Sequence, residues 1–74
     1  MDAATTKMIR IVVNGQVREV PGGRSLSEVL ALLEVDPARV AVELNRSIVS
    51  RSCWSEVAVE SGATLEIVQF VGGG

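Results

Sequence analysis

The dipeptide Asn14-Gly15, set between two short runs rich in β-branched residues, constrains the fold of this chain more than any other local feature. A type I′ turn needs positive φ at both of its central residues, and Asn-Gly is the pair that most often supplies it. The run before it, Met8–Val13, and the run after it, Gln16–Val20, are therefore predicted to pair as a hairpin. The alternation in the second strand is imperfect, so the pattern does not decide which of its faces is buried.

A helix is predicted to follow the hairpin. Pro21-Gly22-Gly23 breaks the second strand, and Ser25 and Glu28 have the spacing of a capping box, in which each side chain accepts a hydrogen bond from the other residue's backbone. Apolar residues then recur at helical spacing: Leu26, Val29, Leu30 and Leu33. Because Pro37 pushes the residue before it out of the helical region, the helix is predicted to run from Leu26 to about Glu34.

Further extended segments are predicted after the helix. They are a third strand at Val40–Leu44, a short apolar stretch at Ile48-Val49, a brief extended segment at Val57–Val59 and a last strand at Thr64–Val71. In the last strand Leu65, Ile67 and Gln69 are assigned to one face, and Glu66, Val68 and Phe70 to the other. This order favours an α+β fold, a β-grasp or ubiquitin-like roll with a mixed sheet packed on one main helix. A ferredoxin-like domain is the alternative, but it needs a second helix.

The domain organisation follows from these elements. Residues 1–7 are predicted to be a flexible N-terminal extension, residues 8–71 the β-grasp domain, and residues 72–74 a flexible glycine tail. The chain has 74 residues, enough for one modest core but with little room for an enclosed cleft as well.

Composition excludes several classes of function. The net charge is −2 and no basic stripe is visible, so nucleic-acid binding lacks its electrostatic footprint. The chain has no His, which removes the usual general base near neutral pH and the usual metal ligand. The apolar runs are too short to span a bilayer, and a single cysteine fits a reducing compartment. We therefore expect a cytoplasmic protein that is not an enzyme, has no catalytic residue and binds no metal, cofactor, nucleic acid or membrane.

Three consecutive glycines, Gly72, Gly73 and Gly74, form the candidate site. Glycine enters all φ regions at little steric cost, so such a tail can thread a narrow channel in a partner protein. A terminal glycine also leaves its carboxylate unhindered. Because a carboxylate is a poor electrophile, a partner would have to convert it to an acyl-adenylate with ATP. A sulfur nucleophile could then displace AMP and leave a thiocarboxylate. The alternative interpretation is a frayed end whose glycines are incidental.

Three other side chains are considered individually: Cys53, Trp54 and Phe70. Cys53 could relay sulfur, but no cluster of basic residues is present to activate it, and packing beside Trp54 is the favoured interpretation. Trp54 is predicted to belong to the core. Phe70 lies four residues from the end, so Phe70 and Val71 are candidates for partner recognition, with Phe70 partly exposed.

The order and spacing of several short motifs resemble the ThiS sulfur-carrier family, within the broader ThiS/MoaD group. The matching segments are Ile11–Gly15, Arg18–Pro21, Ser25-Leu26, Leu30, Leu33, Val40–Asn45, Ile48-Val49, Trp54 and Leu65–Gly74. The resemblance covers the chain from Met8 to Gly74 and implies a β-grasp fold. Two departures stand out: Ala63 follows Gly62 where many members have Asp, and Cys53 is not an expected family feature.

The resemblance also implies partners. A ThiF-like enzyme would use ATP to adenylate the carboxylate of Gly74, and a cysteine-desulfurase relay would supply the sulfur of the thiocarboxylate. Gly72 and Gly73 would thread the partner's site, and the thiazole synthase ThiG would receive the sulfur during thiamin biosynthesis. The alternatives are a sulfur carrier for molybdopterin or another pathway, a ubiquitin-like modifier that forms bonds with lysines, and a passive β-grasp interaction domain.

Overall fold

The computed structural model describes residues 7–70, in which five strands form one mixed sheet. The elements in chain order are β1 (Met8–Val13), β2 (Gln16–Pro21), α1 (Leu26–Leu32), β3 (Val40–Leu44), β4 (Ser47–Ile48) and β5 (Thr64–Gln69), with short 3-10 helices at Pro37–Arg39 and Arg51–Cys53. The spatial order is β2-β1-β5-β3-β4. β5 runs parallel to β1, and all other neighbours are antiparallel. The predicted β-grasp fold is confirmed, and α1 is the single α-helix of the described residues.

The hairpin forms at the predicted turn. Asn14 and Gly15 both have positive φ, 50° and 82°, as a type I′ turn requires. β2 extends one residue beyond the predicted end, to Pro21. The structure also settles which face of β2 is covered: Val20 is buried against the core, whereas Val17 is exposed on the opposite face.

A second turn of the same kind joins β3 to β4. Asn45 and Arg46 occupy its central positions with φ of 51° and 74°. Asparagine tolerates this region because its short polar side chain bonds locally, but arginine has no such advantage. The conformation at Arg46 therefore costs on the order of 1 kcal/mol relative to glycine.

The start of α1 confirms the capping box. The Ser25 hydroxyl accepts a hydrogen bond from the Glu28 N–H at 3.2 Å, and the Glu28 carboxylate accepts one from the Ser25 N–H at 2.8 Å. The backbone hydrogen bond from Ser25 lowers the pKa of Glu28 below its ordinary value of 4.5, because it favours the charged carboxylate.

The end of α1 falls two residues before the predicted position. Glu34 adopts φ of 62°, which terminates the helix. The Val35 N–H donates to the Leu30 carbonyl at 3.0 Å, and the Glu34 N–H donates to the Ala31 carbonyl at 3.0 Å. These two bonds are the Schellman pattern, which satisfies the last carbonyls of a helix and normally places glycine where Glu34 stands.

The core lies between α1 and one face of the sheet. Its buried apolar side chains come from every layer: Ile11, Val13, Val20, Leu26, Val29, Leu30, Val40, Val42, Trp54, Val59, Ala63 and Leu65. Among the described residues no polar or charged side chain is buried. The core is therefore held by apolar packing, with branched aliphatic residues supplying most of its volume.

The segment between β3 and β5 departs from the predictions in detail. The extended segment expected at Val57–Val59 is reduced to an isolated bridge between Ser25 and Ala58, although Val59 is buried. The stretch expected at Ile48-Val49 forms β4 one residue earlier, at Ser47–Ile48.

Candidate functional site

The last strand passes from a covered to an uncovered environment along its length. Leu65 is fully buried, Ile67 is partly buried and Gln69 is exposed, although all three point to the helix side. On the other face, Val68 and Phe70 are 60% and 55% exposed. The alternation predicted for this strand is confirmed, and burial fades towards the predicted tail.

Phe70 lies where the strand ends. Its N–H donates to the Arg39 carbonyl at 2.8 Å, which continues the ladder between β5 and β3 by one bond. Phe70 and Val68 are two residues apart and both are exposed, and we call these two residues the outer apolar pair. The exposure expected for Phe70 is present, and its role in partner recognition stays a prediction.

The predicted covalent site lies outside the described residues. The residues that follow Phe70 in the sequence are Val71, the threading residues Gly72 and Gly73, and Gly74. Their roles stay predictions, as do the boundaries proposed for the N-terminal extension and the tail.

Asn14 contributes more to the end of β5 than its place in a turn indicates. Its backbone N–H donates to the Leu65 carbonyl at 2.9 Å. Its side-chain amide then bonds twice to Ile67: the Oδ1 atom accepts from the Ile67 N–H at 2.7 Å, and the Nδ2 atom donates to the Ile67 carbonyl at 3.1 Å. Sequence reasoning missed this contact because positive φ alone explains an asparagine at this position.

Asn45 makes a related contact at the other end of the strand. Its N–H donates to the Thr64 carbonyl at 2.8 Å, and its Oδ1 atom accepts from the Thr64 N–H at 3.0 Å. The two type I′ turns thus hold β5 from opposite sides, Asn45 near its start and Asn14 near its end.

A groove of about 330 Å³ lies along the end of β5. It is lined by Asn14, Glu34, Val35, Asp36, Arg39, Val40, Ile67 and Gln69. Asp36 accepts a hydrogen bond from the Ala38 N–H at 3.0 Å and pairs with Arg39 at 3.5 Å. The groove lies between the segment that follows α1, the start of β3 and the end of β5.

Trp54 and Cys53 are adjacent in sequence, but Trp54 lies in the core and Cys53 lies at the surface. Trp54 is 3% exposed, and its Nε1–H donates to the Val49 carbonyl at 2.9 Å, so its predicted place in the core is confirmed. The packing predicted for Cys53 is wrong, because this thiol is exposed. Cys53 ends the 3-10 helix that begins at Arg51, and successive side chains of such a helix point in different directions. Trp54 takes the inward direction, so Cys53 faces outward.

Two features are absent from the described part of the chain. Residues 7–70 contain no group of three or more His, Cys, Asp or Glu side chains that could hold a metal ion. Within the same residues, no helix is long and apolar enough to cross a membrane.

Curated proteins similar to this chain fall into two kinds. The chain is 42% identical over 66 residues to a thiazole synthase of Paramagnetospirillum magneticum and 35% identical over 66 residues to one of Magnetococcus marinus. It spans only 20% of the length of each, although 89% of this chain is covered. It is also 29% identical over 66 residues to the sulfur carrier protein ThiS of Escherichia coli, with 89% of this chain and 100% of that protein covered.

A solved structure agrees with the fold. The crystal structure of the thiamine biosynthesis protein ThiS from Geobacter metallireducens matches with a TM-score of 0.77 at 32% identity, covering 89% of this chain and 100% of that one. Its solution structure matches with a TM-score of 0.71. The family model described as the ThiS family matches residues 11–74, which is most of the chain. The chain therefore belongs to the ThiS family.

Proposed function

We propose that this protein is a sulfur carrier for thiamin biosynthesis, whose Gly74 carboxylate is converted to a thiocarboxylate. The observation that carries the proposal is the match to the sulfur carrier protein ThiS of Escherichia coli, which spans the whole length of that protein. The family model also extends through the glycines to Gly74. The protein is then a co-substrate of other enzymes and needs no catalytic group of its own.

The geometry of β5 supports this role. The strand has neighbours on both sides at Leu65, and the burial of its side chains decreases towards its end. A carrier needs this combination, because its reactive end must reach a partner's active site while the folded domain stays outside. The outer apolar pair of Val68 and Phe70 lies at this end of β5 and is an exposed apolar surface that a partner could contact.

The proposed partners follow from the chemistry. A carboxylate needs activation, so an ATP-using, ThiF-like enzyme would form the acyl-adenylate of Gly74 and release pyrophosphate. The terminal sulfur of a persulfide on a cysteine-desulfurase relay would displace AMP to give an acyl disulfide. A thiol reductant would then cleave the S–S bond and leave the thiocarboxylate. Thiazole synthase would accept the sulfur, and this step is supported by the two proteins of that name that contain a segment similar to this chain. The relatives named above give no support to a molybdopterin carrier or a ubiquitin-like modifier.

Intact-mass spectrometry tests the proposal. The protein is incubated with ATP, a ThiF-like enzyme and a sulfur donor, and the expected product carries one sulfur in place of one oxygen at Gly74. The matched controls are Gly74→Val and a chain with one residue appended after Gly74. Both should keep the fold, measured by circular dichroism, and lose loading. An unchanged mass under active conditions would contradict the carrier function, and high-mass conjugates would indicate a modifier. Normal loading of either control would contradict the role of Gly74.

A further inference from the structure

We propose that Asn14 is a positioning residue for the reactive tail, because its side-chain amide fixes the direction of β5 after β1 has ended. This inference rests on the proposed function, since it concerns how the Gly74 carboxylate is presented to the activating enzyme. It assigns to the turn a role that neither its φ angles nor its place in the hairpin requires.

The amide of Asn14 takes the place of a peptide group in the sheet. In a parallel ladder that continued from the Asn14 N–H bond to Leu65, the next two bonds would join Ile67 to β1. The carbonyl of residue 14 would accept from the Ile67 N–H, and the N–H of residue 16 would donate to the Ile67 carbonyl. Because the chain turns at residues 14 and 15, neither backbone group reaches β5. The Oδ1 and Nδ2 atoms supply the same acceptor and the same donor at 2.7 and 3.1 Å.

The position of this contact makes it consequential for the tail. Ile67 is the last β5 residue held from the β1 side in the described structure, and it precedes Gly74 by seven residues. Loss of this contact would leave the end of β5, directly before the tail, held only from the β3 side. A strand end that is already ordered loses less conformational freedom when a partner binds the tail, so ordering it favours binding of the carrier.

Asn45 provides a matched comparison within the same chain. It has the same residue type, the same turn position, nearly the same φ and a side-chain bond to the same strand. Its contact is to Thr64, at the start of β5, next to Leu65, which pairs with both β1 and β3. Loss of its side chain is therefore expected to affect stability without changing the direction of the tail.

The experiment compares Asn14→Gly with Asn45→Gly. Glycine accepts positive φ without strain, so each substitution removes the side-chain bonds and leaves the turn intact. Adenylation is followed as pyrophosphate release by a ThiF-like enzyme, with the carrier concentration varied. For Asn14→Gly we expect KM for the carrier to rise about five- to tenfold, the effect of losing one or two hydrogen bonds from the bound geometry, with kcat within about twofold of wild type. For Asn45→Gly both constants should stay within about twofold. Asn14→Asp keeps the acceptor but loses the donor, and should fall between Asn14→Gly and wild type.

Amide hydrogen exchange gives a second readout that does not depend on loading. In Asn14→Gly the Phe70 amide should exchange faster relative to the Val42 amide, whereas in Asn45→Gly their ratio should be unchanged. Equal KM values for the two glycine variants, or an unchanged exchange ratio in Asn14→Gly, would overturn the positioning role. Failure of the wild-type chain to be adenylated would instead overturn the proposed function, and the exchange ratio would still decide whether Asn14 orders the end of β5.

Discussion

The two halves of β5 differ in almost every physical respect, although they belong to one six-residue strand. Thr64 pairs with β1, and Leu65 has strand neighbours on both sides and is fully buried. Gln69 pairs only with β3 among the described residues, and Phe70 beyond it is more than half exposed. The first half contributes to the core, whereas the second half is accessible to solvent and to a partner protein. For the proposed carrier function, this places a stable segment directly before the residues proposed to react.

Leu65→Ala should have the largest effect, because it tests the covered half directly. Removing a fully buried leucine side chain leaves a cavity and is expected to lower the free energy of unfolding by about 2–5 kcal/mol. Chemical denaturation monitored by Trp54 fluorescence measures this change. Leu65→Met keeps the volume and should cost less than about 1.5 kcal/mol. A loss below about 1 kcal/mol for the alanine variant would show that the covered half is not the stabilising one.

Substitutions in the two type I′ turns next to β5 should change the free energy of unfolding in opposite directions. Gly15→Ala places a Cβ atom at φ of 82° and should lower the free energy of unfolding by about 1–2 kcal/mol. Arg46→Gly relieves the same restriction at φ of 74° and should raise it by up to about 1 kcal/mol. Denaturant midpoints report both changes. The same sign for the two variants would show that φ does not govern these turns.

Phe70→Ala tests the accessible half. Because this ring is exposed, the free energy of unfolding should change by no more than about 0.5 kcal/mol, while KM for the carrier in adenylation rises. Val17→Ala is the matched control, since Val17 is equally exposed but lies on edge strand β2. It should leave both quantities unchanged. Loss of stability in Phe70→Ala without a change in KM would remove the distinction between the two halves.

Acidic pH should lower the free energy of unfolding by less than the substitutions above. It acts through the start of α1, the helix that packs on the covered half of β5. The pKa of Glu28 is lowered in the folded state, so its carboxylate stabilises the helix start. This contribution is complete above the ordinary pKa of 4.5 and is lost as pH falls through the lower folded value. Glu28→Gln should therefore reduce the dependence of the denaturant midpoint on pH in the acid range. An identical dependence in both proteins would show that the capping box does not contribute.

Local chemistry allowed much of the fold to be predicted from the sequence. Asn14-Gly15 determines its own turn, and Ser25 with Glu28 determines the helix start, because both signals depend on neighbouring residues. The end of the helix was harder to predict. Glu34 adopts a conformation that its side chain disfavours, and the Schellman bonds and the packing of Val35 stabilise it there.

The candidate site was predictable only in part. The exposure of Phe70 follows from strand alternation, but the contact between Asn14 and Ile67 joins residues 53 positions apart and depends on where β1 and β5 meet. No local pattern encodes that parallel register. The exposure of Cys53 was also not predictable from the sequence. Cys53 and Trp54 are adjacent and only Trp54 is buried, but their spacing does not indicate which of the two points into the core.

The place of β5 in the sheet also has a consequence for how the chain is made. β5 is the last strand in sequence and the middle strand in space. During synthesis from the N-terminus, the hairpin of β1 and β2 and the pair of β3 and β4 must wait, unjoined, until β5 emerges between them. A chain cut short before Thr64 would have two separate pairs of strands and an incomplete core. Truncation before β5 should therefore leave unfolded products open to proteolysis, and the complete sheet forms only after β5 has been made.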